Sequence, residues 1–240
     1  MEATEDGVHR TEVTGINLIS YDDCVTFVSY SDFYQMQSLN CIYREVWKNG
    51  EYDTIPVEGE QVVDVGGFLG ESAIYFLQKG AKFVNIYEPG QTYGLISLNM
   101  IVNGFDENQF SAHNKAVTGL NGNLNYISNW NCGQISFEKN NAGEGENIMS
   151  TTSLEDIAVK DAVLKFDTEG SEYDTFELAD CSTIRKFKGI MLEFHDKGYM
   201  PITTKLEECG FEIVKIKVNP GWDKETEEFK SSGMIYAKRI

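Results

Sequence analysis

The feature that most constrains this fold is an apolar run that ends in closely spaced glycines and continues into a helical pattern. Residues 62–65 are valine-rich, which is typical of a buried strand, and residues 66–70 contain three glycines. The following residues, 71–77, place apolar side chains at helical spacing. This order predicts a strand, a tight turn and a helix. Because such a turn lets a ligand approach the backbone and leaves N–H groups free at the helix start, it predicts a nucleotide-like cofactor.

The spacing within the turn distinguishes between two kinds of cofactor. A dinucleotide fingerprint requires a glycine at the position of Val65, so the NAD pattern is incomplete. Asp64, Gly66 and Gly70 form an acidic-x-Gly-x-x-x-Gly pattern instead. This pattern resembles the first motif of class I S-adenosylmethionine-dependent methyltransferases, many of which carry a glycine where Phe68 stands. The resemblance predicts that the cofactor contacts the following residues: Asp64, Gly66, Gly67, Phe68 and Gly70.

A carboxylate after the second predicted strand supplies the other half of the cofactor pattern. Glu88 and Pro89 follow the apolar run Phe83–Tyr87, and Glu88 lies 18 residues after Gly70. This spacing is close to the offset of about 20 residues at which an acidic residue meets ribose hydroxyls. It favours a neutral ribose over a 2′-phosphate. The alternative is that Glu88 only begins a surface turn.

A third strand and its turn are predicted over Phe110–Val117. In a doubly wound sheet the end of this strand lies beside the adenine of a bound cofactor. Asn114 and Ala116 are therefore predicted to contact the cofactor, as is Asp167 after the fourth strand.

The densest group of acidic residues follows a buried strand at Ala162–Phe166. Because a doubly wound sheet binds ligands at the carboxyl ends of its strands, Asp167 and Glu169 are predicted to face the cofactor crevice. Glu172 is expected to act mainly in capping the helix that follows.

A histidine ends the next predicted strand, Gly189–His195, in which Glu193 and His195 share one face. A lone histidine is often a structural residue. Here it lies at the ligand-binding edge of the sheet and has a titration range suited to proton transfer. The sequence therefore favours a role for His195 in the active site.

The order of elements predicts an α/β fold with a doubly wound, mostly parallel sheet of seven strands. Two closing strands, Phe211–Val218 and Gly233–Ala237, are expected to pair antiparallel around a loop that holds Trp222. Residues 118–146 suggest short strands outside the main sheet. We expect a cofactor-binding domain over residues 59–240 and an N-terminal extension over residues 1–58. The extension, with a strand and a helix, either caps the active site or packs on the sheet edge.

Charge excludes some partners. The 240 residues carry a formal net charge of −18, which repels phosphate backbones and anionic membranes. Nucleic acid is therefore not an expected partner. The N-terminal residues lack an apolar signal segment, and no stretch is long enough to span a membrane, so we expect a cytoplasmic protein.

The five cysteines show neither zinc spacing nor a C-x-x-C pair. Their odd number favours free thiols over a disulfide framework. We therefore expect all five thiols to be free in a reducing compartment.

Four motifs together resemble the FkbM family of methyltransferases over residues 25–215: residues 64–70, Tyr87–Pro89, Leu164–Glu172 and Leu192–His195. The family's usual Ala-Asn pair is here Gly67-Phe68. The resemblance implies methyl transfer from S-adenosylmethionine to a hydroxyl of a sugar, glycan or small natural product. On this interpretation His195 removes the proton, and Asp167 and Glu169 orient the acceptor. A Mg²⁺ ion bridging the carboxylates is a chemical alternative, but the sequence predicts no metal.

Two functions from other classes stay open. One is a nucleotide-binding oxidoreductase that uses NAD, which Val65 disfavours. The other is a non-catalytic module that binds a glycan or another ligand on the same fold. Asp167, Glu169 and His195 speak against the second function. The oligomeric state is not encoded in any of these patterns.

Overall fold

A computed structural model of the chain describes residues 2–3, 9–13, 16–21, 25–30, 33–128, 135–137, 148–223 and 228–240. Its strands are β1 Glu2–Ala3, β2 His9–Val13, β3 Ile16–Tyr21, β4 Val25–Tyr30, β5 Gln61–Val65, β6 Phe83–Tyr87, β7 Phe110–His113, β8 Ala116–Thr118, β9 Gly122–Ser128, β10 Ile135–Phe137, β11 Ile148–Ser153, β12 Val163–Phe166, β13 Gly189–Phe194, β14 Phe211–Asp223 and β15 Glu228–Arg239. Its α-helices are α1 Phe33–Tyr43, α2 Glu71–Gln78, α3 Tyr93–Val102, α4 Leu154–Ile157, α5 Glu172–Leu178, α6 Cys181–Ile184 and α7 Met200–Glu208. A π-helical turn, Arg44–Lys48, continues α1.

The central sheet has seven strands in the order β14-β15-β13-β12-β5-β6-β7. The strands β13, β12, β5, β6 and β7 are parallel, whereas β15 runs antiparallel to both β13 and β14. This arrangement confirms the predicted fold class. The chain leaves β5 in one direction, towards β6 and β7, and later returns to add β12 and β13 on the other side. The carboxyl ends of β5 and β12 therefore form the topological switch point, where doubly wound sheets bind ligands.

Helices and the N-terminal segment cover the two faces of this sheet. Alternation along β5 sends Val62 into the core on one face and Val63 into the core on the other. Ile74 and Phe76 of α2 join the first core, and Phe176 of α5 joins the second. The sheet is thus buried on both sides, which is why its central strands are apolar throughout.

The N-terminal extension forms a separate four-stranded antiparallel sheet, β1-β2-β3-β4. Its strand β4 was predicted, whereas β1 to β3 were not. The extension is attached through Asn99 of α3 and through Asn103, the residue that caps the end of α3. The Asn99 side chain pairs with the backbone N–H and C=O of Val28, and the Asn103 side chain pairs with those of Thr26. The extension thus packs on the central domain, while the predicted boundary between residues 58 and 59 stays a prediction.

Two regions of the fold extend the sequence-based expectation. β8 to β11 form a small sheet in the order β10-β9-β11-β8, which confirms short strands beyond residue 118 outside the main sheet. The third strand of the main sheet ends at His113, because Ala116–Thr118 pairs with β11 instead. The prediction of a loop around Trp222 was wrong, since backbone pairing of β14 with β15 continues as far as Asp223 and Glu228.

The expectation of five free thiols was also wrong. Packing of α6 near α7 brings Cys181 and Cys209 to a Cα separation of 4.9 Å, and a disulfide joins them. Cys41 is a free thiol, and Cys24 and Cys132 lie outside the described residues. Because the expectation of a reducing compartment depended on free thiols, the disulfide removes the argument for it. Within the described ranges, no helix has the length and apolar character required to cross a membrane.

Candidate active site

A cavity of about 630 Å³ opens at the switch point of the sheet. The ends of β5, β6 and β12 form its floor, through residues such as Gly66, Glu88 and Asp167. The N-terminal extension forms an opposite wall, with Ile42 of α1 and Glu45 of the π-helical turn. Within the described residues, β4 of the extension hydrogen-bonds to Asn99 of α3 and α1 contributes Ile42 to the cavity lining, while a cap over the active site stays a prediction. This volume is in the range of cofactor sites.

The glycine turn brings the two halves of the switch point into direct contact. Gly66 has φ +78°, and a Cβ atom there would overlap the carbonyl oxygen of Asp167. A side chain at Gly67 would overlap Ile86 of the neighbouring strand. Phe68 adopts φ +42° although it is not glycine. This left-handed backbone explains why a glycine is common at that position in related motifs.

Glu88 fixes the shape of this turn. One carboxylate oxygen accepts a hydrogen bond from the backbone N–H of Phe68 at 2.9 Å, and the other accepts from the Thr92 hydroxyl at 2.7 Å. Burial raises the pKa of Glu88 to about 7, against the opposing effect of these hydrogen bonds. Each oxygen keeps a second lone pair, so Glu88 can still accept from the hydroxyls of a ribose.

The structure brings six of the residues predicted for the cofactor to the cavity wall: Gly66, Phe68, Glu88, Pro89, Ala116 and Asp167. The other four do not line the cavity. Asp64 is buried beneath it, Gly67 packs against Ile86, and Gly70 is the N-cap residue that precedes α2. The side chain of Asn114 accepts a hydrogen bond from the backbone N–H of Gly90 at 3.2 Å and so braces the loop after β6.

A buried lysine that the sequence analysis did not single out lies directly under the turn. Lys165 of β12 is opposite Asp64 of β5 in the sheet, and its ammonium lies 3.3 Å from that carboxylate. Burial opposes the lysine charge, but the negative charge of Asp64, followed by interactions with Tyr52, Asp167 and Glu71, outweighs it and holds the pKa of Lys165 well above its usual range. The sequence signal was a single charged residue inside an apolar strand.

His195 lies just after β13 and is held by the buried carboxylate of Glu172. The Nδ1 atom of its ring lies 2.9 Å from a carboxylate oxygen of Glu172, and the backbone N–H of His195 donates to the same oxygen. Glu172 also accepts from the backbone N–H of Gly170, which precedes α5, so its described contacts orient His195 and the loop before the helix, while the expected capping role stays a prediction. The Nε2 atom of His195 faces Glu169, at 3.3 Å.

The carboxylates around His195 change its acidity. Burial disfavours the imidazolium, but the hydrogen bond with Glu172 and the charges of Glu169, Glu172 and Asp167 raise the pKa of His195 to about 10. Burial, together with the charge of Asp167, raises the pKa of Glu193 to about 8. His195 is thus protonated at neutral pH, while Glu193 is close to half ionisation just above it.

The same residues include the donors that the metal alternative requires. Asp167, Glu193 and His195 each offer one ligand atom, and these three atoms lie within 4.8 Å of one another. Among the described residues this is the one such group. Clusters of this kind are also common without a metal, so Mg²⁺ stays a chemical alternative and is not predicted.

The donor set of the cavity fits an S-adenosyl cofactor. The turn has no room for a side chain at Gly66 or Gly67, and Glu88 offers a buried carboxylate just after β6. The ring of Tyr87 lines the same wall and stacks on His113 with ring centroids 4.7 Å apart. Carboxylates, and no lysine or arginine, line the described part of the cavity, which suits a cationic sulfonium.

Comparison with known sequences decides the family. The family described as "Methyltransferase FkbM domain" matches residues 64–213, which is more than half of the chain. The chain belongs to the FkbM methyltransferase family. The match spans the glycine turn, Glu88, Lys165 and His195. Curated proteins contain no match to this sequence.

The two solved structures that align with TM-scores of at least 0.50 support the fold assignment. SMU.776, described as a methyltransferase complexed with S-adenosylhomocysteine, aligns with a TM-score of 0.51 and 8% identity, over 94% of this FkbM chain and 57% of its own. A transferase from Pyrococcus horikoshii, PH0793, aligns with a TM-score of 0.50 and 11% identity, over 98% of this chain and 74% of its own. M. jannaschii TYW2 in complex with S-adenosylmethionine gives a TM-score of 0.47 at 11% identity, over 99% and 89% of the two chains. At these identities the likeness concerns the fold alone.

The two described histidines of the central domain should titrate in opposite directions. We expect NMR of the imidazole resonances to show His113 losing its proton below the ordinary value, since burial lowers its pKa, and His195 keeping its proton to about pH 10. Glu172→Gln should lower the pKa of His195 and leave His113 unchanged, because only His195 loses a charged partner.

The same titration has a consequence for stability. The pKa of His195 in the folded protein exceeds its unfolded value of about 6.5. Its contribution to the free energy of unfolding is therefore complete below about pH 6.5 and is lost as the pH rises towards 10. Across this pH range, the free energy of unfolding measured with urea should fall less in Glu172→Gln than in the wild type. Ordinary titration of both histidines would contradict the described contacts.

Proposed function

We propose that this FkbM protein transfers a methyl group from S-adenosylmethionine to a hydroxyl oxygen of a sugar, glycan or small natural product. The observation that carries the proposal is the convergence of the glycine turn, Glu88 and the Asp167–Glu169 segment on one cavity at the switch point. Each motif alone is common. Their meeting in one crevice is what an S-adenosyl cofactor beside an acceptor requires.

The chain's own residues would hold the cofactor in a defined order. Glu88 accepts the ribose hydroxyls, and the backbone of Gly66 to Phe68 lies against the nucleoside. Ala116 and Pro89 line the side of the cavity expected to take the adenine. When bound, S-adenosylmethionine supplies an electrophilic methyl group on a sulfonium. The protein must then align the acceptor oxygen and remove its proton.

Two groups compete for the role of base. The sequence-based hypothesis assigns it to His195, but an imidazolium with a pKa of about 10 takes a proton only after losing its own. An acceptor that displaced Glu169 from the Nε2 atom would lower that pKa. Glu193 lines the cavity, and its pKa of about 8 lies near the working pH of a general base. Asp167 and Glu169, which also line the cavity, remain the proposed orienting groups.

The competing functions predict different ligands. An oxidoreductase would bind NAD, although Val65 occupies the position of the first glycine of the dinucleotide pattern. A non-catalytic module would bind a glycan and show no turnover. A metal-assisted transferase would lose activity with a chelator and regain it with Mg²⁺, and the carboxylates would then matter more than His195.

The first prediction concerns the cofactor. Calorimetry should show binding of S-adenosylhomocysteine, and Glu88→Ala should weaken it about 10- to 150-fold, which corresponds to about 1.5–3 kcal/mol for a charged hydrogen bond. Glu88→Gln separates charge from shape, because its amide oxygen still accepts from Phe68. Wild-type affinity should rise with pH through about 7 as Glu88 ionises, and Glu88→Gln should lose that dependence.

Glu107→Ala provides a matched control for this experiment, since Glu107 is exposed and does not line the cavity. Equal affinity in the wild type and both Glu88 variants would remove Glu88 from the site. Binding of NAD, with no binding of S-adenosylhomocysteine, would overturn the proposed function itself.

The second prediction separates the two bases. Replacing the true base should slow methyl transfer about 10²- to 10⁴-fold with little change in cofactor affinity. If His195 is the base, His195→Gln is the slow variant and the rate rises with pH towards about 10; if Glu193 is the base, Glu193→Gln is slow and the rate levels above about 8. Full turnover in both variants, unaffected by chelator, would leave alignment alone as the source of rate.

The third prediction concerns the acceptor. A screen with labelled methyl donor should find a neutral or cationic hydroxyl compound, because carboxylates line the described cavity and the net charge is −18. A hexose, its amino derivative and its uronic acid form a matched series, in which the uronic acid should react most slowly. Saturable methylation of RNA alone, or preference for the uronic acid, would be incompatible with this assignment.

A further inference from the structure

Lys165 occupies an unusual position for a charged side chain. It lies within β12, at the centre of the sheet, and its side chain is 2% exposed. Its neighbours on the strand, Leu164 and Phe166, are fully buried apolar residues of the opposite core. Among the lysines that the structure describes, Lys165 is the one that is fully buried. A buried cation requires hydrogen-bond or charged partners, and the identity of those partners indicates the role of Lys165.

The partners of the Lys165 ammonium come from both sides of the switch point. On the β5 side it donates to the carbonyl oxygen of Gly66 at 2.5 Å and to that of Val65 at 3.3 Å. On its own strand it lies 3.8 Å from the carboxylate of Asp167. The carboxylate of Asp64 lies beneath it, at 3.3 Å, and is itself held by the hydroxyl of Ser72. One charge thus joins the end of β5, the start of α2 and the end of β12.

Two of these partners belong to the cavity. Gly66 lines it as the first residue of the glycine turn, and Asp167 lines it as the first acidic residue after β12. The Gly66 carbonyl belongs to a residue with φ +78°, so its direction is set by the turn and by what binds it. The Asp167 carboxylate is 26% exposed; it faces the Lys165 ammonium at 3.8 Å and, on its other side, the imidazole of His195 within 4.8 Å. Lys165 therefore contacts both walls, which the backbone hydrogen bond from the Asp167 N–H to the Val65 carbonyl also joins.

We infer that Lys165 is a positioning residue for methyl transfer, which aligns the cofactor turn at Gly66 with the acceptor-side carboxylate of Asp167. The inference rests on the proposed function. It assigns Lys165 no contact with cofactor or acceptor. Its action is through Gly66 and Asp167, and its removal should affect binding and turnover separately from folding.

The test uses a neutral replacement of the buried pair. Lys165→Met alone would leave the Asp64 charge without a partner, so the variant is Asp64→Asn/Lys165→Met, which keeps similar volume and removes both charges. Leu164→Met is the matched control, since it alters a buried residue on the same strand outside the site. S-adenosylhomocysteine affinity is measured by calorimetry on the folded protein, and kcat and KM are measured with the acceptor found in the screen.

In the double variant we expect the dissociation constant of S-adenosylhomocysteine to rise about 10- to 100-fold, as for loss of a charged hydrogen bond. We expect kcat to fall further while the KM of the acceptor changes less. Asp64→Asn/Lys165→Gln, which retains an amide donor for the Gly66 carbonyl, should recover part of the affinity. Leu164→Met should resemble the wild type in both measurements.

A purely structural lysine would give a different pattern. The folded double variant would then keep wild-type affinity and kcat and would lose only thermal stability. That result, or failure of both double variants to fold, would overturn the inference. Absence of S-adenosylhomocysteine binding in the wild type would instead refute the proposed function, so the two failures are distinguishable.

Discussion

The ammonium of Lys165 and the carboxylate of Asp64 lie 3.3 Å apart in the centre of the sheet, where neither is reached by solvent. Removing one partner of such a pair costs about 3–5 kcal/mol, because the other charge is left buried without compensation. Replacing both by apolar residues is often neutral for stability. A buried pair is therefore weak evidence of a stability requirement. Its position under the cofactor turn gives the stronger reason for it, since the ends of parallel strands collect carbonyl oxygens that a cation can hold.

Local sequence patterns predicted the parts of the site whose geometry is set within a few residues. The turn at Gly66 requires positive φ and space beside Asp167, so its glycine is visible in the sequence. Glu88 could also be predicted from the sequence, because its distance along the chain from Gly70 reflects the length of one strand-helix-strand unit. The same holds for the fold class, a doubly wound, mostly parallel sheet of seven strands, which follows from alternation of strand and helix signals and was confirmed.

The features that the sequence did not reveal depend on register between distant segments. Lys165 meets Asp64 only because β12 pairs with β5 in one register, which alternation within β12 does not specify. Glu172 holds His195 because α5 begins beside the end of β13. The disulfide joins Cys181 and Cys209, which lie on separate elements, α6 and just beyond α7. In each case the residue types were visible and the partner was not.

The ionisation of the cavity follows from how deeply its carboxylates lie. Burial raises the pKa of Glu71 to about 8, that of Glu88 to about 7 and that of Glu193 to about 8. These three groups are therefore partly protonated near neutral pH, and an entering cation or hydroxyl donor shifts them towards the charged form. A cavity of this kind adapts its charge to its ligand.

In the proposed reaction this adaptability matters most on the acceptor side. Positive charge leaves the donor and develops on the acceptor oxygen until its proton is removed, so catalysis requires negative charge that is better placed for the acceptor than for the donor. Asp167 and Glu169 follow β12 and Glu193 lies near the end of β13, whereas Glu88 follows β6 on the other side of the switch point. The sheet thus separates the carboxylate proposed to bind the ribose from those proposed to face the acceptor. Lys165 and His195 limit the repulsion among the acceptor-side carboxylates, which allows several of them to share one strand edge.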